Sequence, residues 1–299
     1  MEKLSPIIIF AFNRTKILPK TISALQANPE AKNSDLYIFI DGPRNGNKDD
    51  QIKIKEIHTI VKGIQGFRSI TYKFSDYNKG LGSSIISGVS EIISKYDKVI
   101  VLEDDLVVQP NFLRFMNEGL NKYQTTEEVF SICGYTNRIT TPKKYMYDAY
   151  FCTRSSSWGW GTWADRWQSV DWSFDNWEEW RKYKKSFNKW GGSDCFSMLR
   201  GCKDGRNKSW AIRFCFAQFL QNKFSIFPIK SLVNNNGFDG EGTNCKKYSR
   251  FKFDLERPDK IDFIFPDKPK LIKSIHRQAM SYHSIPIRLW SRIMYFLHK

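Results

Sequence analysis

The chain has 299 residues, of which 41% are hydrophobic and 15% aromatic, so it can bury a sizeable core and does not have a disordered composition. Its net charge of +16 would suit a nucleic acid, an anionic membrane surface or a phosphorylated ligand. The lysines are scattered and accompany no basic helix, zinc finger or RNA-binding aromatic motif, which makes nucleic acid the weakest of these partners.

The sequence shows no export or membrane-spanning signal. No apolar run is long enough to cross a bilayer, and no cleavage-site pattern follows the short apolar run near the N-terminus. The six cysteines form no CxxC pair and show no metal-ligand spacing with the four histidines. We therefore expect a cytoplasmic protein with free thiols.

Three strand–helix units open the chain. Apolar, β-branched runs predict buried strands, and apolar residues at helical spacing predict helices between them. The predicted strands cover residues 5–12, 36–40 and 69–74, and the predicted helices cover residues 18–25, 48–64 and 85–95. This alternation is typical of a doubly wound, mostly parallel α/β sheet.

Polar residues follow these strands at the edge where α/β sheets bind ligands. Arg14 lies in the first loop, Asp41 follows the second strand, and Lys79 follows the third strand beside a helix N-terminus. Such an N-terminus with a lysine beside it can hold phosphate oxygens. The glycines nearby match neither a P-loop nor a dinucleotide fingerprint, and a loop arginine is often merely solvated, so each signal alone is weak.

The next strand runs directly into three acids. Residues 98–102 are mostly apolar and lead into Glu103, Asp104 and Asp105. Three adjacent carboxylates repel one another unless a cation or water lies between them. A divalent cation carrying phosphates would satisfy both the oxygen ligands and the charge. A solvated acidic turn is the alternative interpretation.

The composition changes after a predicted helix at 111–123 and a strand at 129–134. Eight of the ten tryptophans lie between Trp158 and Trp190, and the run 157–163 contains too much glycine to predict one regular element. In the segment 172–180, carboxylates alternate with indoles. Such aromatic faces with polar edges suit a sugar, although they suit a tightly packed core equally well.

The last third predicts a helix at 209–221, a strand at 224–228 and a Gly- and Asn-rich loop at 234–244, which would be either a binding loop or a disordered one. The tail 266–299 carries seven Lys and Arg against one acid. Its apolar residues share one helical face, which favours a membrane interface over a helix docked on the domain. That predicted face consists of Ile287, Trp290, Met294 and Leu297.

Several of these motifs together resemble a known family. They are Phe12-Asn13-Arg14, Ile40-Asp41-Gly42, Leu102 to Leu106 followed by Pro110 and Phe112, Trp158-Gly159-Trp160, and Trp177-Glu178-Glu179-Trp180. Over residues 5–245 the chain resembles nucleotide-sugar glycosyltransferases of the GT-A fold from bacterial surface-polysaccharide clusters. These are similar to the N-acetylglucosaminyltransferase I family, whose metal motif is also Glu-Asp-Asp.

The resemblance implies a GT-A, Rossmann-like sheet flanked by helices. Residues 1–265 would form the transferase domain, with a nucleotide-sugar-binding half at 1–135 and an aromatic-rich acceptor-side half at 136–265. Residues 266–299 would form a basic amphipathic tail.

The resemblance also implies roles for single residues. Asp105 would bind Mn²⁺ or Mg²⁺, while Glu103 and Asp104 would lie against the ribose and the donor sugar. Asp41 would read the nucleotide base, and Arg14 would lie near the nucleotide. Lys79 would supplement the metal in holding the donor phosphates.

Glu178 is our choice of catalytic base. It stands where the resembled family has Asp in a Trp-Asp-Asp-Trp motif, so its side chain is one methylene longer. Asp175 and Asp239 remain rival candidates.

We therefore expect a metal-dependent, inverting hexosyl- or N-acetylhexosaminyltransferase that acts on the cytoplasmic face of the bacterial inner membrane. A UDP-sugar is the expected donor, and a glycan or lipid-linked molecule is the expected acceptor. A nucleotidyltransferase acting on sugar phosphates and a non-catalytic glycan-binding protein on the same scaffold are the alternatives.

Overall fold

The computed structural model describes residues 4–238, 251, 255, 260 and 262–297. The strands are β1 (Ile7–Ala11), β2 (Asp35–Ile40), β3 (Ser69–Phe74), β4 (Lys98–Glu103), β5 (Leu106–Val108), β6 (Val129–Cys133), β7 (Ala149–Cys152), β8 (Trp160–Trp163), β9 (Phe224–Pro228) and β10 (Val233–Asn235). The helices are α1 (Leu18–Gln26), α2 (Lys48–Lys62), α3 (Leu81–Ile93), α4 (Phe112–Lys122), α5 (Ala164–Gln168), α6 (Trp177–Trp180), α7 (Lys184–Gly191), α8 (Cys195–Lys203), α9 (Trp210–Leu220), α10 (Lys273–Ser281) and α11 (Ile285–Leu297).

Eight strands form one sheet in the order β3-β2-β1-β4-β8-β6-β9-β7. Strands β3, β2, β1 and β4 are parallel, as are β6 and β9, while β8 and β7 run antiparallel to their neighbours. The predicted α/β architecture with a mostly parallel sheet is therefore confirmed. The sheet continues through both predicted halves, because β6 pairs with β8 and β9. A second, two-stranded sheet joins β5 to β10.

The central strands are apolar throughout because helices cover both faces of the sheet. Every residue of β1 is buried. Ile7 and Ile9 pack in the cluster that contains the buried side of α1, whereas Ile8 and Phe10 pack in the cluster that contains the buried side of α3. Successive residues of a strand point to opposite faces, so this run without polar alternation identifies a doubly covered strand.

The tryptophan-rich run 157–163 is not one regular element, as its glycine content predicts. Within the run 157–163, residues Trp160–Trp163 form β8, which lies between β4 and β6 near the middle of the sheet. Gly161 does not serve a turn here, because a Cβ on it would lie 2.8 Å from the backbone oxygen of Val99 and 3.0 Å from Leu120 Cδ1. This glycine therefore lets the neighbouring strand and α4 approach β8 closely.

The predicted C-terminal tail divides into two different helices. On α10, Ile275 is fully buried, and His276 Nε2 lies 2.9 Å from the hydroxyl oxygen of Thr153, just beyond β7. This helix therefore packs on the domain. By contrast, α11 exposes half or more of four large apolar side chains, which are Ile285, Leu289, Trp290 and Ile293. Within the described residues, no helix combines the length and apolarity needed to cross a membrane.

Replacing Gly161 by Ala tests the close packing of β8. We expect Gly161→Ala to lower the free energy of unfolding by about 1–3 kcal/mol, because the added methyl overpacks a site that cannot expand. Gly63→Ala is the matched control, since a Cβ there meets nothing nearer than 3.5 Å, and it should change stability by less than about 0.5 kcal/mol. Denaturant unfolding of both variants gives the comparison, and equal stabilities would contradict the packing role.

Candidate active site

A cavity of about 530 Å³ opens at the carboxyl ends of β1, β2 and β4. Five residues singled out from the sequence line it together, although they are far apart in the chain. They are Arg14, Asp41, Glu103, Asp104 and Asp105. We call this space the donor cavity. The parallel pairing of β1 with β2 and β4 brings these strand ends to one edge.

The acids after β4 are held in place by contacts with other elements. Asp104 Oδ2 accepts a hydrogen bond from the Phe12 backbone N–H at 3.0 Å, and the Asp104 backbone oxygen accepts one from the Thr21 hydroxyl at 2.7 Å. Asp105 Oδ2 accepts a hydrogen bond from Arg14 Nη1 at 3.2 Å. The Asp105 backbone oxygen accepts another from the N–H of Asn236, beside β10, at 2.8 Å. Both aspartates are buried.

The electrostatics of this cluster favour an added cation. Burial is the main cause that raises the pKa of Glu103 well above its ordinary value, and the charges of Asp105 and Asp104 raise it further. Burial and the Asp105 charge raise the pKa of Asp104 to about 7, while Arg14 acts in the opposite direction. Glu103 and Asp104 are therefore harder to ionise than an ordinary carboxyl group, so a nearby cation would favour their charged forms.

A divalent cation fits this donor set, provided that a ligand completes its coordination. Among the described residues, no three Asp, Glu, His or Cys side chains converge as a ready metal site. Asp105 and its neighbouring acids could therefore supply only part of the oxygen ligands that Mg²⁺ or Mn²⁺ requires. Water and phosphate oxygens of a bound ligand would supply the rest, as is usual for Mg²⁺ in phosphate sites.

Asp41 has two partners in the loop that precedes α3. Its Oδ1 accepts a hydrogen bond from the Lys79 backbone N–H at 2.8 Å, and its Oδ2 accepts one from the Gly80 N–H at 2.8 Å. Gly80 adopts a φ of 77°, which glycine tolerates without strain. These contacts start α3 at Leu81, four residues before the predicted start.

Lys79, the cation predicted to help hold the donor phosphates, does not line the donor cavity in the described structure. The Lys79 side chain is exposed, its Nζ lies 6.0 Å from the ring centroid of Tyr77, and it is not among the described residues that line the donor cavity. Lys208, which belongs to no motif singled out above, does line the cavity. The only sequence signal was its place in a polar run just before α9. A Cβ on Gly82 would overlap the Lys208 backbone oxygen, so α3 packs directly against this segment.

Tryptophans serve both the cavity and the core. Trp158 and Trp210 line the donor cavity. Trp158 is half-buried, and its ring packs edge-to-face on Tyr135 with centroids 4.5 Å apart. Most of the others fill the interior, and the fully buried ones include Trp160, Trp163 and Trp167. The core interpretation therefore holds for most of the tryptophan-rich segment.

Glu178, the predicted base, lies away from this cavity. Its side chain on α6 is 80% exposed and accepts a hydrogen bond from Arg181 Nη1 at 2.8 Å. Trp177 and Trp180 of the same helix pack inward, so Glu178 points outward. Neither Glu178 nor the exposed Asp175 belongs to the described lining of the donor cavity. Asp239 lies outside the described residues, and the role of base stays a prediction.

Comparison with known proteins gives one family match. A model of glycosyl transferase family 2 matches residues 7–203, about two-thirds of the chain. The matched residues include the five acidic and basic residues of the donor cavity described above. A search of curated proteins found no matching relative.

Solved structures with similar folds are distant. S. aureus TarS 1–349 in complex with UDP is 11% identical, with a TM-score of 0.42 over 77% of this chain and 59% of that chain. UDP-glucose pyrophosphorylase complexed with UDP-glucose is 13% identical, with a TM-score of 0.39 over 75% of this chain and 90% of that chain. The mannosyltransferase PcManGT from Pyrobaculum calidifontis, in complex with GDP-Man and Mn²⁺, is 8% identical, with a TM-score of 0.34 over 55% and 46%. The chain thus spans about three-fifths of the TarS structure.

The narrower likeness to the N-acetylglucosaminyltransferase I family stays a prediction, because the match identifies only the broader group. The family model covers more than half of the chain, and its matched part contains β1 to β8 with the donor cavity's acids. The chain belongs to glycosyl transferase family 2 and has a GT-A-like α/β fold.

Proposed function

We propose that this glycosyltransferase is metal-dependent and inverting, and that it moves a hexosyl or N-acetylhexosaminyl group from a nucleoside-diphosphate sugar to a glycan or lipid-linked acceptor. A UDP-sugar is the expected donor, and bacterial surface-polysaccharide synthesis is the expected setting. The buried cluster of Glu103, Asp104 and Asp105 beside Arg14 carries the proposal, because it needs a cation and opens into a cavity large enough for a nucleotide sugar.

Five residues that line the donor cavity have proposed roles in binding this donor. Mn²⁺ or Mg²⁺, held at Asp105, would neutralise the charge that develops on the leaving diphosphate. Glu103 and Asp104 would contact the ribose and the sugar, and Asp41 would read the base. Lys208 replaces Lys79 as the proposed supplementary cation, because Lys208 is the one that lines the cavity.

Transfer also requires a base on the acceptor side. A hydroxyl group is a poor nucleophile near neutral pH, so a carboxylate must accept its proton as the new bond forms. Attack from the face opposite the leaving diphosphate would invert the anomeric centre. We now favour Asp239 over Glu178 and Asp175, because the latter two lie outside the cavity lining. Gly237, two positions before Asp239 in the sequence, packs directly against the Asp105 carboxylate.

Family membership favours transfer over the nucleotidyltransferase alternative. The second alternative, a glycan-binding protein without turnover, would bind nucleotide or sugar without releasing free nucleotide. Turnover of a nucleotide-sugar panel therefore separates it from the enzyme.

We also propose that α11 holds the protein peripherally on the cytoplasmic face of the inner membrane. Its exposed Leu289, Trp290 and Ile293 accompany Arg288 and Arg292, and the helix contains no acid. An apolar surface with a tryptophan and basic neighbours suits the headgroup region of an anionic bilayer.

Asp105→Asn tests the metal role. Wild type should show a rise in melting temperature with UDP that increases when Mn²⁺ is added, because a ligand that binds only the folded state stabilises it. In Asp105→Asn, the Mn²⁺-dependent part of the rise should disappear. Asp49→Asn is the matched control, since its carboxylate is 65% exposed on α2. An undiminished Mn²⁺ effect in Asp105→Asn would rule out this residue as the ligand.

Three amide substitutions separate the candidate bases. Asp239→Asn should reduce sugar transfer by about a hundredfold or more while UDP and Mn²⁺ still bind, because general base catalysis contributes about 10²–10⁴-fold. Glu178→Gln and Asp175→Asn should retain transfer. Steady-state kinetics together with calorimetry of UDP binding give both quantities. Loss of transfer in Glu178→Gln alone would restore Glu178 as the base.

Ile293→Ser tests the membrane surface. Co-sedimentation with vesicles of phosphatidylcholine and phosphatidylglycerol should show binding that weakens about tenfold in this variant, because removing one partly inserted isoleucine costs about 1.4 kcal/mol or more. Ile52→Ser on α2 replaces an isoleucine that is 67% exposed, and it should bind as wild type does. If the wild type does not co-sediment with the vesicles, or if both variants bind them equally well, α11 is not the membrane-binding surface.

A further inference from the structure

A second cavity of about 370 Å³ lies beside the donor cavity. We call it the side cavity. The two spaces have five lining residues in common, which are Ser157, Trp158, Met198, Ser209 and Ala211. The cavities therefore adjoin, and groups bound in them would contact some of the same residues.

The lining of the side cavity combines aromatic faces with polar groups. The Tyr135 hydroxyl donates to Asn137 Oδ1 at 3.0 Å, and the Tyr150 hydroxyl lies 2.8 Å from the Thr136 hydroxyl oxygen. Trp158 packs edge-to-face on Tyr135 at the side shared with the donor cavity. Aromatic rings next to fixed hydroxyl and amide groups match the apolar face and hydroxyl edge of a pyranose.

The charges in the side cavity compensate one another. Arg154 donates from Nη1 to Asp194 Oδ1 at 2.7 Å and from Nη2 to Oδ2 at 3.2 Å, and it also donates to the Gly191 backbone oxygen at 2.9 Å. Both side chains are largely buried. Because this guanidinium is already neutralised by a bidentate carboxylate, it offers little attraction to a phosphate. The space therefore suits an uncharged sugar better than a second anion.

The wall on the far side comes from the C-terminal helices. Ala279 and Met280 of α10 line the side cavity, as does His283. The Ser193 hydroxyl donates to the His283 backbone oxygen at 2.8 Å, and Arg288 of α11 donates to the Ser193 hydroxyl at 3.0 Å. These bonds fix the start of α11 beside the side cavity.

We propose that the side cavity is the acceptor subsite and binds an uncharged sugar residue of the acceptor glycan, with Trp158 lining both this subsite and the donor cavity. This inference rests on the proposed transfer from a nucleotide sugar. It adds the substrate class that the second site accepts and assigns the C-terminal helix α10 to that site.

Filling the cavity from α10 tests this assignment. Ala279→Phe places a phenyl ring in the space, and Arg277→Phe places the same ring on an exposed position of the same helix. The probes are UDP with Mn²⁺ and a panel of methyl glycosides of glucose, galactose, mannose, N-acetylglucosamine and N-acetylgalactosamine. Calorimetry reports UDP binding, and saturation-transfer NMR on the UDP-loaded protein reports glycoside binding.

We expect at least one glycoside to bind wild type and Arg277→Phe, and to bind Ala279→Phe at least tenfold more weakly, while the affinity for UDP stays the same in all three. If Ala279→Phe does not fold, Asn137→Leu removes a polar lining group at similar volume and should show the same split. Equal glycoside binding in the folded variant and wild type would overturn the proposal, as would a wild type that binds UDP but no glycoside. Failure of wild type to bind UDP would instead refute the proposed function.

Discussion

The concentration of negative charge at the end of β4 is the constraint on which the site depends. Three consecutive carboxylates lie where water reaches them poorly. Arg14 forms an ion pair with Asp105 and offsets part of the negative charge. The fold holds the three acids in place and does not relieve the repulsion among them. The Phe12 N–H and the Thr21 hydroxyl bind Asp104 from β1's end and from α1, which prevents the acids from turning outward to solvent. Such a cluster is stable at full charge only with an additional cation.

That constraint also connects the eight-stranded sheet to the two-stranded sheet. Arg14 donates to Asp105 and to the backbone oxygen of Gly237, and Asn236 donates to the Asp105 backbone. The pairing of β5 with β10 brings this second segment to the acids. A ligand that changes the charge at Asp105 would therefore act directly on Arg14 and on the backbone at residues 236–237.

The sequence predicted the fold well wherever local pattern determines structure. Doubly buried strands read as unbroken apolar runs, so β1, β2 and β4 and the acids that follow β4 were predictable. The sequence did not predict features that depend on packing between distant parts of the chain. The glycine content of the run 157–163 does not show that Gly161 lies in a strand packed closely against Val99. Lys79 and Lys208 are both exposed, and the sequence alone does not show that Lys208 lines the donor cavity whereas Lys79 does not. Glu178 resembles a base in its motif, yet the inward packing of Trp177 and Trp180 turns it to solvent.

The C-terminal helices α10 and α11 connect the side cavity to the proposed membrane surface. The tail resembles one amphipathic segment in sequence, but α10 buries Ile275 and lines the side cavity, whereas α11 exposes Leu289, Trp290 and Ile293. Of the predicted apolar face, Trp290 is exposed, whereas Ile287 and Met294 are half-buried. The hydrogen bond from Arg288 of α11 to Ser193 holds the start of α11 beside the side cavity. If α11 lies on a bilayer, the side cavity lies close to that surface, and an acceptor attached to a lipid would need little chain length between its anchor and its reacting sugar. The same geometry would bring the proposed acceptor site and the proposed membrane surface close together, since α10 lines the side cavity and α11 follows it.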